Sequence, residues 1–85
     1  MIMGKVINNI WSTKKDESLI GCKLMAVSIL GGKDDGKVIV AVDMIGAGIG
    51  EKVIVSQGSS ARKMANLKDA PIDATIVGII DEDCM

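Results

Sequence analysis

The chain has 85 residues, ten basic and eleven acidic, with a formal net charge of −1. That length holds one compact domain, and the charge balance offers no basic field to attract the phosphates of a nucleic acid. With no His and no Tyr, the inventory excludes Ser-His-Asp and Cys-His catalysis and every His-containing metal site.

The apolar content points outward as well as inward. Hydrophobic residues make up 48% of the chain and the mean hydropathy is +0.37. Trp11 is the only aromatic residue, and the remainder is Val, Ile, Ala, Leu and Met with ten Gly. A domain of this size buries a modest fraction of its surface, so some apolar surface is left over for another copy of the chain. An oligomer is expected from composition alone.

In chain order, Lys5 to Ile10 is a first apolar segment ending near Trp11, and Ser12 to Ser18 is polar and loop-like. Leu19 to Leu30 alternates, with Leu24, Ala26, Ser28 and Leu30 on one face and Met25, Val27 and Ile29 on the other. This reads as a strand with at least one buried side. Gly31 to Gly36 is a turn rich in residues that tolerate positive φ, and the β-branched run Lys37 to Asp43 returns to complete a hairpin with Leu24 to Leu30. Met44 to Gly50 is at once apolar and glycine-rich, and Lys52 to Ser56 resumes strand character. Ala61 to Leu67 favours a short helix that Ser59 or Ser60 can cap, with Pro71 beyond its end. Ala74 to Ile80 is a last strand dense in Ile and Val. The class is mainly β: a small OB-like five-stranded β-barrel with one short α-helix, in a single domain over residues 1–85.

The charge clusters Lys14-Lys15-Asp16-Glu17 and Asp81-Glu82-Asp83 read as solvated loop and terminus. Cys22 and Cys84 form no CxxC pair, and no basic, apolar leader opens the chain. The longest apolar stretch, Val38 to Gly50, is broken by Asp43 and falls short of the ~20 residues of a membrane span. A cytoplasmic protein with reduced thiols and no membrane partner is expected.

Candidate chemistry is sparse. Asp43 is the only carboxylate flanked by long apolar runs, and a strand-end carboxylate of this kind usually serves as a structural hydrogen-bond acceptor. Gly46-Ala47-Gly48-Ile49-Gly50 invites a nucleotide reading, but G-x-G-x-x-G requires a strand-to-helix turn, and here a strand pattern follows. Tight packing in the barrel, between subunits or at a ring axis suits these glycines better. One Trp provides no stacking platform for single-stranded nucleic acid, so Trp11 reads as a packing or interface residue. Arg62 is a solvated helical charge or one half of an ion pair across a subunit boundary. Met25, Met44 and Met64 read as core fillers. No catalytic, cofactor or metal site is predicted.

Several segments, in order, resemble the EutN/CcmL-type vertex proteins of bacterial microcompartments. They are Gly4-Lys5-Val6, Ser12-Thr13-Lys14, Ser18 to Leu24, Val40 to Glu51, Gly58-Ser59-Ser60-Ala61-Arg62, Pro71 to Ala74 and Ile76 to Asp81. The pair D-x-x-G-A-G-x-G-E and G-S-x-A-R at this spacing is the specific part. The resemblance implies a structural, non-enzymatic shell protein that forms homopentamers at shell vertices beside hexameric shell proteins. It also implies that Gly46, Gly48, Gly50, Glu51, Ser59, Ser60 and Arg62 contribute to a subunit interface or axial loop. Trp11 is bulkier than the family pattern suggests, and the short stretch after Asp81 favours a catabolic metabolosome over a carboxysome. Competing expectations are a ring subunit with a ligand-binding or pore-gating role and, further off, an OB-type binder of single strands.

Overall fold

Five β-branched runs and the turns between them form β1 (Ile2–Ile10), β2 (Lys23–Ile29), β3 (Val38–Asp43), β4 (Lys52–Gln57) and β5 (Ala74–Ile79). In the computed structural model, which describes residues 1–11, 17–58 and 72–81, the strands close into a barrel in the order β1-β2-β3-β5-β4. Neighbours are antiparallel except β3 and β5, which pair in parallel through Val42↔Thr75 and Asp43↔Ile76. This is the mainly β small barrel expected from the sequence. The helix expected at Ala61 to Leu67 lies outside the described residues.

β1 closes the barrel by pairing on both edges. Ile2 to Lys5 face Val55 to Lys52 of β4, while Gly4 to Ile10 face Ile29 to Leu24 of β2. The β1–β2 register shifts between Val6 and Asn8. An extra residue of this kind bends a strand and raises its twist, which a closed five-stranded barrel requires. The bulged Ile7 is left 44% exposed.

Strand alternation directs the core. Val6, Met25, Val27, Ala41, Val53, Val55 and Ile76 are buried in one cluster inside the barrel. Gly4 is buried beside them, and a methyl group there would overlap Val27 Cγ1 and stand 3.1 Å from the Ser28 carbonyl. The closeness of β1 to β2 therefore depends on the missing side chain. On the outer face of β2 and β3, Val42 and Ile72 form a second small cluster with Leu19, Cys22 and Leu24 packed against it.

Two boundaries and one side-chain placement differ from what the sequence predicts. β1 begins at Ile2 rather than Lys5 because its first residues have β4 to pair with, a long-range partner no local window shows. Leu19 to Cys22 is not strand: Glu17–Leu19 is a 3-10 turn, the Cys22 N–H donates to the Leu19 carbonyl at 3.0 Å, and Gly21 has φ +86°. Met44 is not a core filler but 48% exposed, whereas Met25 is fully buried; Met64 lies outside the described residues.

Candidate functional site

The glycine-rich loop between β3 and β4 is organised by two carboxylates, one at each end. Asp43 ends β3 with its side chain fully buried. Its Oδ1 accepts the N–H groups of Ile45 at 3.0 Å and Gly46 at 3.1 Å, so the loop's first turn is held by a charge-assisted pair of bonds. Asp43 Oδ2 has no hydrogen bond among the described residues; the half-exposed Lys23 ammonium stands 3.5 Å away, an ion-pair distance too long for a strong bond. Asp43 thus acts as the structural acceptor expected from the sequence.

At the other end, Gly48 to Glu51 form a tight turn. The Glu51 N–H donates to the Gly48 carbonyl at 3.2 Å, and Gly50, third in the turn, has φ +91°. That is the position where a type II turn demands a residue without a side chain. Glu51 closes the turn from the side, its Oε1 accepting the Gly48 N–H at 2.6 Å. Gly46 also has positive φ, at +79°, whereas Gly48 does not.

The loop is stitched into the barrel rather than draped over it. Ala47 is fully buried in the main core cluster. The Gly50 N–H donates to the Val6 carbonyl at 2.8 Å, and the Val6 N–H donates to the Glu51 carbonyl at 3.0 Å. Fixed in this way, the loop holds Met44, Ile45 and Ile49 outward, with Ile49 60% exposed. Gly46, Gly48, Gly50 and Glu51 are thereby gathered in one rigid element. Ser59, Ser60 and Arg62 lie outside the described residues.

A second feature escaped the sequence reading. On the outer face of β1 and β4 an apolar groove of about 550 Å³ is lined by Met1, Met3, Ile29, Leu30, Ile54 and Ile80, among others. Cross-strand register builds it: Met3 sits opposite Ile54, and Ile54 sits opposite Gly78, which has no side chain to fill the space. The signal was present in β1 and β4, where Met3 and Ile54 put apolar side chains on the face opposite the core, but only the pairing brings them together. The residues lining the groove are Met, Ile, Leu and Gly, none of them an acid, base or nucleophile. Among the described residues no cluster of three Cys, Asp or Glu could hold a metal ion. What both features present is shaped apolar surface on a rigid frame.

Bacterial microcompartment shell vertex protein GrpN of Rhodospirillum rubrum is 52% identical over 83 residues, covering 95% of this chain and 93% of its own length. The carboxysome shell vertex protein CcmL of Thermosynechococcus vestitus is 42% identical over 85 residues, covering 95% and 84%. Among solved structures, the GrpN pentameric microcompartment shell protein superposes with a TM-score of 0.82, covering 95% of this chain and 94% of that one. The model of the family described as ethanolamine utilisation protein EutN/carboxysome matches residues 1–81, and the chain belongs to that EutN/CcmL family.

Proposed function

We propose that this protein is a structural, non-enzymatic subunit of a bacterial microcompartment shell, acting as a homopentamer that closes the shell's vertices. The observation that carries the reading is its likeness to GrpN, a pentameric shell protein, at 52% identity over nearly the whole of both chains. Physics supports the role. A flat layer of hexagonal tiles cannot close into a polyhedron without five-fold points, and a head-to-tail interface whose rotation closes makes a ring. The chain leaves large apolar side chains such as Ile20, Val38, Val40 and Ile49 between 51% and 70% exposed, more than a solitary small protein needs to leave in water.

Within this reading residues 1–85 act as one domain, and the loop carrying Gly46, Gly48, Gly50 and Glu51 meets the neighbouring copy or the ring axis together with Ser59, Ser60 and Arg62. Hexameric shell proteins surround the ring, in a shell inside the bacterial cytoplasm. Identity to GrpN, at 52%, exceeds that to the carboxysome CcmL, at 42%, which favours a compartment other than a carboxysome; a catabolic metabolosome is our reading. Native mass spectrometry of the purified protein is the test. A dominant species of five subunits is expected, and a monomer persisting at high concentration would remove the vertex role.

A further inference from the structure

β1 carries an apolar knob beyond one end and lines an apolar groove at the other. Trp11 directly follows Ile10 and is 90% exposed, so its indole is left almost unpacked among the described residues. The groove at the start of the strand is lined by Met1, Ile2 and Met3 together with Leu30, Ile54 and Ile80. Between them β1 is hydrogen-bonded to β2 and β4, and nine residues at ~3.4 Å each separate the two features by roughly 30 Å along the strand. The chain cannot place its own Trp11 in its own groove. Two complementary features held apart on one surface meet only between copies, head to tail, and such contacts close into a ring when the rotation allows.

We propose that Trp11 of one copy seats in the Met3–Leu30–Ile54–Ile80 groove of the next, as the anchor of the subunit interface. This deepens the ring reading above and rests on it. Size fits: the groove's volume of about 550 Å³ lies within the ~300–1,000 Å³ of pockets that enclose drug-sized molecules, so a bicyclic indole enters with room to spare. Chemistry fits too, since methionine thioethers make favourable contacts with aromatic rings and the walls are otherwise alkyl.

Area sets the role in proportion. A buried aromatic contributes about 150–250 Å², roughly a quarter of the ~800 Å² per partner of a standard interface. Trp11 is therefore the anchor, and neighbouring apolar side chains supply the remaining area, a distribution typical of tryptophan hot spots.

Trp11 is the only tryptophan, so intrinsic fluorescence of the assembled protein reports this one contact. In the ring, emission is expected to the blue of a solvated indole, with a several-fold drop in quenching by acrylamide. Met3→Lys, at a position already 47% exposed and so tolerable in the folded chain, returns both signals toward free tryptophan. Trp11→Ala weakens assembly by about 30-fold or more, the scale of a hot-spot truncation, with circular dichroism showing that both variants keep the barrel. If native mass spectrometry finds five subunits while Trp11 quenches like free tryptophan, the proposal is overturned and the vertex reading stands. A protected Trp11 that is unmoved by Met3→Lys overturns the groove assignment, because the indole then seats on some other surface or partner. A chain that forms no ring overturns both.

Discussion

Replacing Gly4 with Ala adds a methyl group at the closest approach between β1 and β2. The new Cβ would overlap Val27 Cγ1 and lie 3.1 Å from the Ser28 carbonyl, and Val27 is fully buried in the main core cluster. Overpacking of this kind costs about 1–3 kcal/mol, while the stiffer unfolded chain returns about 0.4–1 kcal/mol, for a net loss of about 1–2 kcal/mol. Val27→Ala removes two carbons at ~0.8 kcal/mol each and leaves a partial cavity, for a loss of about 2–3 kcal/mol. Combining the two lets the new methyl occupy space that Val27 gave up, so the double variant loses less than the sum by about 1–2 kcal/mol. Urea denaturation measures each variant, with protomer concentration held constant because assembly contributes a concentration-dependent share of stability. A neutral Gly4→Ala, or a double variant additive within ~0.5 kcal/mol, would refute the account of why this strand position is glycine.

Two further predictions concern the β3–β4 loop. Asp43→Ala removes the acceptor for the Ile45 and Gly46 amides and costs about 2–4 kcal/mol, on the scale of two hydrogen bonds to a charged group. Asp43→Asn keeps a carbonyl acceptor and costs less; hydrogen exchange at these two amides is expected to accelerate strongly in the first variant and mildly in the second. Gly50→Ala forces a side chain into φ +91° at a cost of about 1–2 kcal/mol, seen as a lowered melting temperature. Gly48→Ala has ordinary φ and meets only the end of the Glu51 side chain at 3.2 Å, so it leaves melting nearly unchanged and a large loss on its own would contradict the turn geometry.

Much of the barrel was legible because its signals are local. Alternation in Met25 to Ile29 and the Gly31–Gly36 turn announced the β2–β3 hairpin, which the structure forms with Val27 opposite Ile39. The Leu19–Cys22 stretch misled for the opposite reason: Leu19 and Cys22 pack against the outer Val42–Ile72 cluster, and apolar character alone does not distinguish a strand from a turn that covers one. Met44 misled in the same way, since hydrophobicity says a side chain avoids water without saying which surface shelters it.

The residues by themselves determined that the chain makes a small mainly β fold, and from the same inventory came the expectations of a structural rather than catalytic role and of apolar surface left for another copy. The motif spacing further pointed to its family. Tertiary structure alone decided that Ala47 enters the core, that Asp43 and Glu51 brace the glycine loop, and that Met3 and Ile54 form a groove. Each of these depends on which strands become neighbours and in what register. A shift of one residue reverses the face on which every side chain of a strand emerges, and register in this barrel is set by pairings between residues tens of positions apart.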